Sequence, residues 1–185
     1  FGLEESYGYK VERDVMDKDG VSAAAMCAEM TMYWASQGKT ILEHLDDMYR
    51  EYGYFEDRAI SQEFLGSSGV ETMKGIMTKL RTEGLKTLGG KTVTKIRDVQ
   101  ESVEFDPANP ANKTPYGLPK SNVLQFFLDG GTIVSARPSG TEPKIKFYVN
   151  SVTPVAGGDL DAAKKAAASL CDAIEADIKS ILANA

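Results

Sequence analysis

The amino-acid sequence predicts an α+β protein in which four to five mostly antiparallel strands carry helices on one face, with two further helices ahead of them. Three observations carry this expectation. The apolar period changes from helical to alternating near residue 54. Two strand-like runs meet at Asp129-Gly130-Gly131, where glycines accept the positive φ of a tight hairpin turn. The chain ends in an apolar stripe of helical spacing from about Asp159 to Leu182.

In order, "DKDGVSAAAMCAEMTMYWASQG" carries Met26, Met30 and Tyr33 at helical spacing, with Gly38 as the stop. "TILEHLDDMYREYG" repeats the pattern with Ile41, Leu45, Met48 and Tyr52, between a Thr40 cap and Gly53. "YFEDRAISQEFL" then reads as a strand, "SGVETMKGIMTKLRTEG" as a helix with Val70, Met73, Met77 and Leu80 inward, and "KTVTKIRDV" as a strand. "ESVEFDPANPANKTPYGLPK" holds four of the seven prolines and reads as a surface excursion without regular elements. "NVLQFFLDGGTIVSA" is the hairpin, and "KIKFYVNSV" a strand with Ile145, Phe147 and Val149 on one face and Lys144, Lys146 and Tyr148 on the other. The final helix turns Leu160, Ala163, Ala167, Leu170, Ile174, Ile178 and Ile181 to one side. These readings divide the chain into residues 1–53 and 54–185.

Composition narrows the function classes. Hydrophobic residues make up 42% and charged residues 26% of 185, ordinary values for a globular chain, and no apolar run nears the roughly 20 residues of a membrane helix. A net charge of −6 disfavours a nucleic-acid partner, which calls for a concentrated basic face. Cys27 and Cys171 lie in helical patterns without metal-ligand spacing and read as buried free thiols, which fits a reducing cytoplasm. The opening "FGLEESYGYK" has no signal-peptide character, and the absent initiator Met suggests a fragment.

The stretch with most chemistry is "SARPSGTEPKIKFYV". Arg137 can present a planar fork of donors to two phosphate oxygens, and Ser139 and Thr141 add hydroxyls. Gly140 would let the backbone turn so that successive N–H groups converge on one anion, while Pro138 and Pro143 limit the loop's freedom. The Glu142 carboxylate should point away from such an anion. The loop is expected at the edge of the sheet. The same residues would also make an ordinary Pro-Ser-Gly turn with a solvated arginine.

"RPSGTEPKIKFY" resembles the phosphate-binding loop in the last domain of the α-D-phosphohexomutases, the phosphoglucomutase and phosphomannomutase superfamily. The longer "LPKSNVLQFFLDGGTIVSARPSGTEPKIKFY" looks like its bacterial phosphoglucomutase branch. The resemblance implies that Arg137, Ser139, Gly140 and Thr141 hold the phosphate that is not being transferred, with Lys146 where relatives often carry a basic residue. "GLEESYGY" is similar to the family's sugar-recognition loop, which implies that Glu4 and Ser6 bind two neighbouring sugar hydroxyls. It departs from that pattern by Leu3 between Gly2 and Glu4, and by Gly8 where some members have histidine. In "DKDGV" an EF-hand is excluded by Val15 and Met26 at the first and twelfth ligand positions, leaving a polar turn that caps the first helix. The family has a similar Lys-Asp-Gly segment, which implies Lys18 as a general acid or base. His44 is expected to be solvent-exposed and is given no role.

Residues 1–53 thus resemble the end of the third, α/β domain, and 54–185 the fourth, with a TATA-binding-protein-like fold. The family's phosphoserine loop and aspartate-rich magnesium loop have no counterpart in these 185 residues. The resemblance therefore implies a C-terminal fragment, inactive alone, of a cytoplasmic enzyme interconverting hexose 1-phosphate and hexose 6-phosphate. That enzyme would use a phosphoserine, Mg2+ and a hexose 1,6-bisphosphate intermediate. The implied partners are a phosphosugar substrate, the remaining N-terminal domains and, through exposed helix faces, a second copy of the fragment; neither nucleic acid nor a membrane is among them. Mutases for glucosamine or pentose phosphates, and a non-catalytic phospholigand-binding module, stay open.

Overall fold

A computed structural model describes residues 1–4, 7–66, 68–140 and 142–184. The chain separates into two compact units, Phe1–Glu51 and Tyr52–Ala185.

In the first unit, β1 (Gly2–Leu3) pairs antiparallel with β2 (Tyr9–Lys10). Helix α1 (Gly20–Ser36) begins at Asp19, whose carboxylate accepts from the Val21 and Ser22 amides at 3.0 Å each. These bonds occupy donors that have no intrahelical partner, and the Ser22 side chain together with these amides holds the Asp19 carboxyl below its ordinary range. Helix α2 (Ile41–Tyr52) opens on a reciprocal cap: the Glu43 amide donates to Thr40 Oγ1 at 3.1 Å, and the Thr40 amide to Glu43 Oε2 at 2.8 Å. No residue of α1 is buried, so Cys27 is an exposed thiol rather than the core thiol the helical pattern suggested. His44 departs from expectation in the other direction. Its ring stacks on Trp34 with centroids 3.5 Å apart, a contact the periodicity of α2 alone cannot show.

The second unit is the α+β body. Its elements are β3 (Tyr54–Glu63), α3 (Gly69–Glu83), β4 (Thr87–Leu88), β5 (Lys91–Asp98), β6 (Val103–Phe105), β7 (Thr114–Pro115), β8 (Leu124–Leu128), β9 (Ile133–Pro138), β10 (Lys144–Thr153) and α4 (Leu160–Ala183). The strands lie in the order β3-β10-β9-β8-β5-β6-β7, with β4 beside β5, and every described pairing is antiparallel. The Pro-rich excursion contributes β6 and β7, which takes the strand number past the four or five expected. Pro115 is tolerated there because β7 is the outermost strand, where one missing amide breaks no interior ladder.

Helices α3 and α4 both pack on one face of this sheet. Phe126, Phe147, Ile145, Val134 and Val149 of the strands are at most 1% exposed, and Ala167, Ile174 and Ile178 of α4 are fully buried against them. Met73, Ile76, Met77 and Leu80 form the inner stripe of α3, while Val70 is exposed because it belongs to the first turn, short of the sheet. In α4 the buried stripe includes Cys171 and Leu182, with Leu170 and Ile181 at its margins. Burial pushes the Cys171 thiol up, which keeps it unreactive. At the hairpin, Gly130 and Gly131 have φ of +89° and +91°, as the turn requires.

One buried charge ties α3 to the sheet. Asp98, 2% exposed, accepts from Arg81 Nε at 2.7 Å and from the Gln100 and Glu101 amides at 3.1 and 3.3 Å. Removing the carboxylate strands a partly covered guanidinium and two turn amides. Asp98→Ala should therefore lower stability by about 2–3 kcal/mol, read as a shift of the urea midpoint at constant slope; a shift worth under 0.5 kcal/mol would show that Arg81 is already solvated.

Candidate functional site

Strands β10 and β9 are the second and third of the sheet, with β3 the first, and both have polar side chains on the face away from the helices. Alternation explains this: because Ile145, Phe147 and Val149 fill the core, Lys144, Lys146 and Tyr148 must project to the other side. The cross-strand register sets Lys146 directly opposite Arg137. The connecting loop thus lies at the ends of two adjacent strands, one strand in from β3, and not along the lateral edge of the sheet. Together with Ser139, Gly140 and Glu142, these side chains bound a cleft of about 440 Å³.

The loop is braced internally. The Ser139 amide donates to the Lys144 carbonyl at 2.8 Å, the Lys144 amide to the Glu142 carbonyl at 2.8 Å, and the Glu142 amide to Ser139 Oγ at 3.2 Å. The amides of Ser139, Glu142 and Lys144 are therefore already engaged. The φ of Gly140 is not positive, and a Cβ built on it meets nothing within 4 Å. The position therefore has room for a side chain beside the cleft. Gly140→Ala should leave stability within about 0.5 kcal/mol while weakening phosphate binding severalfold, checked by thermal melting beside a phosphate titration. Thr141 lies outside the described residues.

Glu142 does not point away. Glu142 is one of the residues that line the cleft, and its carboxylate meets Lys144 Nζ at 2.5 Å, a contact that raises the Lys144 ammonium above its ordinary range. Arg137 is exposed, and among the described residues no carboxylate pairs with it or with Lys146. Lys144 and Tyr148 were not singled out from the sequence, although the alternation of "KIKFY" already put them on the face of Lys146.

The first unit holds a separate cluster. Lys18 Nζ donates to Glu4 Oε2 at 2.8 Å, and the carboxylate raises the lysine above its usual range. In this arrangement Lys18 is an ammonium that donates to Glu4. Gly8 is buried in this cluster, and a Cβ there would overlap Lys18 Cδ and approach Glu4 Oε2 to 3.1 Å. A side chain at position 8 and this placement of Lys18 are mutually exclusive. Ser6 lies outside the described residues.

An antiparallel sheet with helices on one face, and a cationic cleft at the ends of two of its strands, define the class. Comparison with known proteins gives the family. Residues 77–168 match the phosphoglucomutase/phosphomannomutase C-terminal domain, and residues 1–52 match the alpha/beta/alpha domain III of the same family. The chain belongs to the phosphoglucomutase/phosphomannomutase family. It is 34% identical over 150 residues to a phosphoglucomutase of Staphylococcus epidermidis, covering 81% of this chain and 27% of that protein. It is 35% identical over 154 residues to a phosphoglucomutase of Staphylococcus aureus, covering 83% of this chain and 28% of that protein. The chain thus spans little more than a quarter of the length of these relatives. The crystal structure of the phosphoglucomutase pp63/parafusin from Paramecium, in its open form, superposes with a TM-score of 0.54 at 18% identity, over 90% of this chain and 28% of that one, and shows the shared fold.

Proposed function

We propose that this chain supplies the phosphate-holding and sugar-recognising portion of a phosphohexomutase that interconverts hexose 1-phosphate and hexose 6-phosphate. The observation that carries the reading is the cross-strand pair Arg137–Lys146: two like charges set directly opposite each other, which destabilises a sheet unless an anion lies between them. A phosphate dianion offsets that repulsion. Arg137 then grips two oxygens through its fork, Lys146 adds a point charge, and Ser139, Gly140 and Thr141 border the anion. Holding one phosphate fixes where the rest of the sugar lies, and phosphoryl transfer depends chiefly on such positioning.

In the same reading Glu4 and Ser6 bind neighbouring sugar hydroxyls, and Lys18 orients the Glu4 carboxylate as an ammonium donor. Among the described residues no group of three or more His, Cys, Asp or Glu side chains is placed to hold a metal ion. In this proposal the magnesium and phosphoserine of the reaction, and the turnover of a hexose 1,6-bisphosphate, belong to a longer cytoplasmic protein. No helix among the described residues is long and apolar enough to cross a membrane.

The test is a phosphorus NMR titration of the 185-residue chain with glucose 6-phosphate, joined to an assay for conversion of glucose 1-phosphate. The expected result is line broadening that inorganic phosphate competes away, with no conversion. Absence of binding would overturn the phosphate-holding assignment, and turnover would overturn the division of labour.

A further inference from the structure

The cleft holds one anion of its own among three cations, and that arrangement has a consequence for how a ligand enters and leaves. Arg137, Lys144 and Lys146 line it together with Glu142, so its net charge is two positive. Lys144 is held on two sides. Glu142 Oε2 lies 2.5 Å from its ammonium, and Glu63, its cross-strand partner on β3, adds a second negative charge at the border. The lysine side chain is only 22% exposed, whereas that of Glu142 is 57% exposed. The lysine is therefore the fixed member of the pair and the carboxylate the mobile one, free to swing into solvent. Arg137 and Lys146, in contrast, have no carboxylate among the described residues.

We infer that Glu142 is a built-in competitor for the phosphate: it neutralises Lys144 in the empty cleft, yields that ammonium to an incoming phosphate monoester, and recaptures it when the ligand leaves. This rests on the phosphate-holding reading above and adds to it a ligand residue, Lys144, and a residue that tunes affinity, Glu142. With the carboxylate present, the cleft's net charge matches a phosphate dianion, the form a monoester takes above its second pKa of about 6. Without it Lys144 would be left with only the cross-strand charge of Glu63, and the cleft would bind more tightly and release more slowly. In a reaction whose bisphosphorylated intermediate must turn over between two phosphoryl transfers, a clamp that cannot let go is a liability.

The experiment titrates inorganic phosphate at pH 7.5 into the 185-residue chain and into Glu142→Gln, Lys144→Met, the double variant and Arg137→Ala, with thermal melting of each as a fold control. Glu142→Gln should tighten phosphate binding about three- to fivefold, within what exposed charge pairs contribute, and Lys144→Met should weaken it. Because Glu142 acts by competing for Lys144, its removal should gain nothing in the Lys144→Met background. No tightening in Glu142→Gln, or a tightening that persists without Lys144, overturns the inference. Arg137→Ala separates this from the reading beneath it. If that variant loses binding while the other two are silent, the clamp stands and the competitor falls. If Arg137→Ala binds phosphate normally, the clamp itself is wrong and the competitor falls with it.

Discussion

Phe147→Ala should destabilise the second unit by about 3–5 kcal/mol, a large share of the roughly 5–15 kcal/mol that holds typical domains together. Phe147 is 1% exposed at the centre of β10, between β3 and β9. Its ring packs in the core that the helices cover, and neighbouring strands on both sides limit how far the backbone could collapse into the void. The loss therefore combines the transfer free energy of the ring with the cavity left behind. Urea denaturation followed by far-UV circular dichroism should show the midpoint falling at unchanged slope, and amides of β9 and β10 should lose hydrogen-exchange protection together. Lys146 and Tyr148 flank Phe147, so phosphate binding should weaken in step with unfolding and recover where the native state is repopulated at low temperature. Phe147→Leu, which keeps most of the volume, should cost under about 1.5 kcal/mol. A loss below 1 kcal/mol for the alanine variant would mean that the core repacks and that β10 is not its centre.

How much of this was legible in the sequence follows from which contacts are local. The alternation of "KIKFYV" sorts Ile145, Phe147 and Val149 from Lys144, Lys146 and Tyr148 because side-chain direction in a strand is a two-residue property. The hairpin at Gly130-Gly131 is equally local, since φ values of +89° and +91° are what glycine permits. Strands β6 and β7 were hidden because at three and two residues they are too short to show an alternation, and what marks them is side-chain pairing: Glu104 lies opposite Arg97 and accepts from it at 3.0 Å, while Arg97 also rests on the Tyr116 ring at 3.9 Å. Proline content describes the intervening chain and says nothing of those partners. The stack of His44 on Trp34 joins two helices and escapes any reading of one helix at a time. In the cleft, the residue types were readable but the pairing of Glu142 with Lys144 was not, since two residues of opposite charge in one loop can equally well face apart.

Arg137→Ala should weaken phosphate binding by about 30- to 150-fold, the equivalent of roughly 2–3 kcal/mol for a charge-assisted bidentate contact. A mutase containing this segment should lose a similar factor in kcat/KM for its phosphosugar. The effect exceeds that of Lys144 or Lys146 because only the guanidinium can meet two oxygens at once; Arg137→Lys should restore the charge and part of the affinity, but not the fork. Stability should hardly change, since Arg137 is exposed and its strand position, opposite another cation, contributes repulsion rather than support in the empty protein. Relief of that repulsion points to a small gain in melting temperature for the alanine variant without phosphate, and to a loss of the stabilisation that saturating phosphate gives the parent chain. These two signs together distinguish a ligand residue from a structural one, because a structural arginine would lower the melting temperature with or without phosphate. If Arg137→Ala keeps the parent's phosphate affinity and its ligand-induced stabilisation, the cleft is an ordinary solvated turn with an unusual concentration of charge.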